Sequence, residues 1–193
     1  MPASLRLVSE AQRVGCDTMQ AWSDPLPYDL SRTPRRASVP RAFTKSVPET
    51  PGTYVIYLIN QAHTCDIVID IGEAGPRANS TPKGLRGRLA TAVAHAASER
   101  MAAEIQAGEL TNKLRVVYVE RPSKEAAEEL QDALVSLFRQ ECGRQPRYNA
   151  RLEQHPAPGA FEPVYTALKT HIGCLLRRPT TRGSGRRNNA RGR

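Results

Sequence analysis

The chain has 193 residues, of which 39% are hydrophobic and only 5% aromatic, and a formal charge of +9. That length holds one well-buried domain with extensions and is too short for two ordinary ones. No apolar run reaches membrane-spanning length and Met1-Pro2-Ala3-Ser4-Leu5 opens no secretory h-region, so a cytoplasmic chain is expected.

The charge is unevenly spread. Residues 177–193 carry Arg177, Arg178, Arg182, Arg186, Arg187, Arg191 and Arg193 and no acid, which leaves +2 for everything before them. The basic character therefore sits mostly in a C-terminal tail expected to be disordered. Cys16, Cys65, Cys142 and Cys174 are scattered without metal-ligand spacing, and reduced structural thiols are the expectation.

In chain order, residues 1–46 read as a basic, Pro-punctuated arm. Leu5, Val8, Ala11 and Val14 hint at a short helix, after which Pro25, Pro27, Pro34 and Pro40 interrupt any long element. Arg32, Arg35, Arg36 and Arg41 are candidates for phosphate contact, with a solvated arm slightly favoured.

Residues 47–151 form the domain. Gly52-Thr53-Tyr54 opens an apolar run, Tyr54 to Ile59, and Asp70-Ile71-Gly72 closes a second, Asp66 to Ile71. Both runs are short and rich in β-branched or aromatic residues, so they predict two strands, joined across Asn60–Cys65 by a hairpin. Gly72 is expected to let the backbone turn and approach a ligand closely.

A Gly-, Pro- and Ser-rich loop over 73–84 leads to a helical stripe through Leu85, Leu89, Ala92, Val93 and Ala96, with Arg88 at its edge. Without further information, Arg88 would be read as snorkelling or paired with a carboxylate.

Leu114–Glu120 predicts a third strand. Ser123 is a plausible N-cap for a helix whose apolar face is Ala126, Ala127, Leu130, Leu134, Leu137 and Phe138, with Gln131 bordering that face and Gly143 ending it. Pro146-Arg147-Tyr148-Asn149 closes the unit as an ordered loop. The expected fold is α+β: a small three-stranded sheet with flanking helices in the order β-β-α-β-α. A short helical extension over 152–176, centred on Glu162–Leu176, precedes the tail at 177–193.

These motifs, in this order, resemble the GIY-YIG nuclease superfamily over roughly half the chain. The resemblance implies a metal-dependent endonuclease that hydrolyses DNA phosphodiester bonds, with Mg²⁺ or Mn²⁺ as cofactor, DNA as partner and RNA not excluded. It implies that Tyr54 positions or activates water, Arg88 binds the scissile phosphate and Asn149 supports the site. A planar guanidinium suits a phosphate through two parallel hydrogen bonds.

Two positions depart from the family pattern. Asp70 stands where the second motif has tyrosine, and Gln131 stands where a metal-binding glutamate is expected. A hard cation prefers charged oxygen, so beside Gln131 the metal site implied needs a substitute carboxylate from Asp70, Glu73 or Glu128, with Asp70 the first candidate. The departures keep open a second reading, an inactive domain of this type used for nucleic-acid binding or partner docking. Lys83, Arg86 and Arg77 flank the expected cleft as candidate backbone contacts, although a solvated loop would look the same.

Overall fold

The structure is a computed structural model that describes residues 21–30, 45–59, 67–76, 83–90, 96–149 and 158–176. Four strands make one antiparallel sheet: β1 (Leu26–Pro27), β2 (Gly52–Leu58), β3 (Val68–Ala74) and β4 (Leu114–Glu120), in the spatial order β1-β4-β2-β3. Two helices, α1 (Gly84–Ala90) and α2 (Ala96–Gln106), belong to one face. The other face carries α3 (Lys124–Cys142) and α4 (Glu162–Leu176), the latter entered through a 3₁₀ turn at Pro158–Phe161.

The fold is α+β as expected, but the expected three-stranded sheet is corrected to four. The extra strand comes from the segment read as an irregular arm: Leu26 pairs with Val116 and Pro27 with Arg115. Proline is tolerated there because β1 is an edge strand. Trp22, Tyr28 and Leu30 from the same segment are buried.

Strand β2 is central, and all seven of its residues are buried. Its alternate residues enter two separate cores, which is why its sequence reads as a continuous apolar run. Tyr54, Ile56 and Leu58 join Leu85, Leu89 and Met101 on the α1/α2 side. Val55 and Tyr57 join Leu130, Leu134 and Phe138 on the α3 side. Thr53, also on the α3 side, satisfies its buried hydroxyl by donating to the Ala127 carbonyl at 2.9 Å.

The signals at the ends of α3 hold. Ser123 is extended, at φ −147° and ψ 170°, and its Oγ accepts from the Ala126 N–H at 3.2 Å. Gly143 adopts φ 70° and donates to the Arg139 carbonyl at 2.9 Å. The expectation of reduced thiols does not hold for Cys142, which is disulfide-bonded. The side chains of the other three cysteines lie outside the described ones, as does the whole tail 177–193. No described helix is long and apolar enough to cross a membrane.

Strand β3 is the outer edge, and the loop after α3 covers it. The Tyr148 N–H donates to the Ile69 carbonyl at 2.9 Å. Asn149 then bonds Ile71 twice: its Oδ1 accepts from the Ile71 N–H at 2.9 Å and its Nδ2 donates to the Ile71 carbonyl at 2.6 Å. A side-chain amide thus substitutes for the missing strand partner and closes an otherwise exposed edge.

Candidate active site

The site begins with the pairing of β2 and β3. Tyr54 stands opposite Gly72, and Ile56 opposite Asp70. Side chains of paired residues share a face, so Tyr54 and Asp70 point to the α1/α2 side, two residues apart along the strands.

Gly72 does not turn the chain, as its place at the end of an apolar run suggested; it lies inside β3. Its role is steric. A Cβ built there would lie 2.1 Å from the Tyr54 hydroxyl oxygen and 2.2 Å from its Cζ, so the phenol ring occupies the space a side chain would take. A Gly72→Ala variant is expected to lose about 1–3 kcal/mol of stability by forcing this buried ring to move. The same change in a Tyr54→Ala background should cost much less, because the clash is gone. Denaturant unfolding of the four proteins of that cycle checks the coupling, and additive losses would contradict the steric account.

Helix α1 brings Arg88 over this position. The helix entry is fixed by the Leu85 N–H donating to Thr50 O at 2.9 Å and the Arg86 N–H donating to Pro48 O at 2.8 Å. Gly84 adopts φ 56°, and a Cβ there would meet Thr50 O at 2.2 Å, so glycine is required on both counts. With Leu85 and Leu89 buried, Arg88 falls half-buried at the sheet side and hydrogen-bonds to Tyr54. Its Nε is buried and makes no hydrogen bond among the described residues.

Asp70 is 2% exposed. Burial pushes its carboxyl up to about 7, against the pull of the Arg88 and Arg100 guanidiniums. Burial also holds the Tyr54 phenol well above its ordinary value, with Asp70 adding to the rise and Arg88 opposing it. At neutral pH the tyrosine is therefore a hydrogen-bond donor and not a base, whereas the aspartate can exchange a proton.

Tyr28, from β1's flank, completes the cluster and was not singled out in the sequence. Its hydroxyl lies 3.0 Å from Ser98 Oγ on α2. Burial raises it to about 12, and both Asp70 and Arg88 act on it electrostatically. The available signal was the period-two spacing of Leu26, Tyr28 and Leu30, masked by the prolines around it.

The remaining expected residues divide. Asn149 pins β3 beside Asp70 through the backbone of Ile71 and so holds the strand in place. Gln131 is half-buried on α3, the helix packed on the opposite face of the sheet from Arg88. Arg86 points away from Arg88 and is engaged: its Nε donates to Val47 O at 2.7 Å and its Nη1 pairs with Glu49 Oε1 at 2.7 Å. Lys83 is exposed at the start of α1. Arg77 lies outside the described residues.

Among the described residues no three or more His, Cys, Asp and Glu side chains come together as a metal-binding group. Asp70, buried and facing two guanidiniums, does not suit a divalent cation; the local charge favours an anion instead. No protein-family model, curated protein or solved structure matches the chain.

Proposed function

We propose that the chain is an endonuclease of GIY-YIG type acting on DNA phosphodiester bonds. One observation carries the reading: a tyrosine, a buried aspartate and an arginine from three separate elements converge on one face of the sheet, over a glycine that only the tyrosine ring fills. In this reading Arg88, partly open to solvent, holds the phosphate through its guanidinium. Tyr54, held protonated, orients the attacking water, and Asp70, titrating near neutrality, takes the water's proton as the new P–O bond forms; the old P–O bond breaks and the departing sugar oxygen takes a proton from solvent. Asn149 keeps the Asp70 strand in register.

The Mg²⁺ or Mn²⁺ requirement belongs to the proposal through the resemblance alone. The residues described do not form a cation site, and no step above passes through one.

A specific observation favours the second reading, an inactive domain that binds nucleic acid. Tyr54 and Asp70 are almost wholly buried beneath Arg88, which alone of the three is partly open to solvent.

Supercoiled plasmid separates the two. Nicking by the native chain that requires Mg²⁺ or Mn²⁺ and stops with EDTA supports the enzyme. No nicking by the native chain, with plasmid still retarded on a gel, supports the binding domain.

A further inference from the structure

The covered edge of β3 carries a feature that the catalytic reading leaves unused. Tyr148 is buried to 3% exposure, and two guanidiniums rest against its ring: Arg100 from α2 at 5.4 Å and Arg147 from the loop at 5.6 Å. The two arginines come from segments 47 residues apart in sequence, yet one aromatic ring holds both. Both are exposed to solvent.

Glu104, one helical turn beyond Arg100, accepts a hydrogen bond from the Tyr148 hydroxyl at 2.6 Å and forms an ion pair with Arg147. That single carboxylate fixes the ring and pairs with one of the two guanidiniums, so the group of two arginines and one glutamate carries net positive charge. It is also fixed relative to the site: Tyr148 bonds Ile69 and Asn149 bonds Ile71, the residues on either side of Asp70. Arg100 is close enough to act on the Asp70 carboxyl.

We infer that Arg100 and Arg147, stacked on Tyr148, form a clamp for the sugar–phosphate backbone of nucleic acid entering the site over the β3 edge. The inference rests on the nucleic-acid reading above and adds where the strand runs. A cation held over an aromatic face keeps its N–H donors; Arg147 spends one of its amino groups on Glu104, and its remaining donors and those of Arg100 can meet phosphate oxygens. Their positions are preset, which reduces the ordering cost that flexible surface arginines meet on binding.

The test measures binding by the full chain in EDTA, so cleavage plays no part. A short fluorescein-labelled DNA duplex is titrated by anisotropy across a range of salt concentrations. The double variant Arg100→Gln/Arg147→Gln should bind about tenfold more weakly at low salt, and its log–log salt slope should be shallower by about 2, one for each lost phosphate contact. The arginine-rich tail is identical in both proteins and cancels from that difference.

Glu104→Gln keeps an acceptor for the Tyr148 hydroxyl and removes the opposing charge, so it should bind about threefold more tightly. A folding defect cannot produce that gain. Unchanged affinity and slope in the double variant, or weaker binding by Glu104→Gln, would overturn the clamp. Absence of nicking by the native chain would count against the endonuclease reading and leave the clamp standing.

Discussion

In the proposed endonuclease, an Arg88→Ala variant is expected to fold and to nick plasmid DNA about 10²- to 10³-fold more slowly than the native chain, the loss typical when one preorganised donor to a developing charge is removed. The expectation follows from placement. Arg88 alone among the clustered residues is both cationic and partly exposed, and it reaches the Tyr54 hydroxyl from a helix whose entry is fixed by two backbone bonds. Arg88→Lys keeps the charge without the planar fork and should recover only part of the rate. Because the guanidinium also pulls the Asp70 carboxyl downwards, its removal should move the acidic limb of a pH–rate profile to higher pH. Undiminished nicking by a folded Arg88→Ala protein would remove Arg88 from the mechanism.

The second large effect concerns stability. Burial raises the Asp70 carboxyl to about 7 in the folded chain, against about 3.9 when it is unfolded. Between those values the folded state holds a proton that the unfolded state has released, so stability should fall as pH rises from about 4 to about 7 and then level off. The gap corresponds to roughly 4 kcal/mol at full effect.

Asp70→Asn imitates the protonated carboxyl without titrating. It should differ little from the native chain at low pH and be clearly more stable above pH 7. Denaturant unfolding at pH 5 and pH 8, in EDTA and without reductant, checks this as the difference between the two proteins. That difference cancels contributions from other groups. An equal difference at both pH values would show that Asp70 does not titrate with folding. A site residue that costs stability when charged is common where function, not folding, sets the residue.

Much of the fold was legible because its signals are local. Ser123 and Gly143 mark the ends of α3 through bonds made within one helical turn. The β-branched run of β4 occupies the positions it predicted, Leu114–Glu120. The second strand was placed too early: the apolar stretch begins at Asp66, but pairing with β2 carries β3 through Gly72 to Ala74. Hydrophobicity reports burial, whereas the ladder of hydrogen bonds decides where a strand ends.

Other features could not be read locally. Pro25 and Pro27 argued against an element, yet an edge strand needs few donors, and Val116 and Arg115 supply the pairing that makes β1 a strand. Arg86 looked as available to a ligand as Arg88. Only the docking of 47–49 against α1 gives it Val47 and Glu49 as partners.

By itself, the sequence determined the α+β class and the helix ends, since residue type and short-range spacing carry that information, and Tyr54, Asp70 and Arg88 were picked out only through the order of motifs that carries the family resemblance. Tertiary structure alone decided that Gly72 makes room for a phenol ring, that Tyr28 joins the cluster, and that Arg100 and Arg147 share Tyr148. The contacts of Gly72 with Tyr54, Arg100 with Tyr148 and Tyr28 with Ser98 join residues from 18 to 70 positions apart, and a side chain's surroundings at such separations are set by packing across the sheet, which no local pattern encodes.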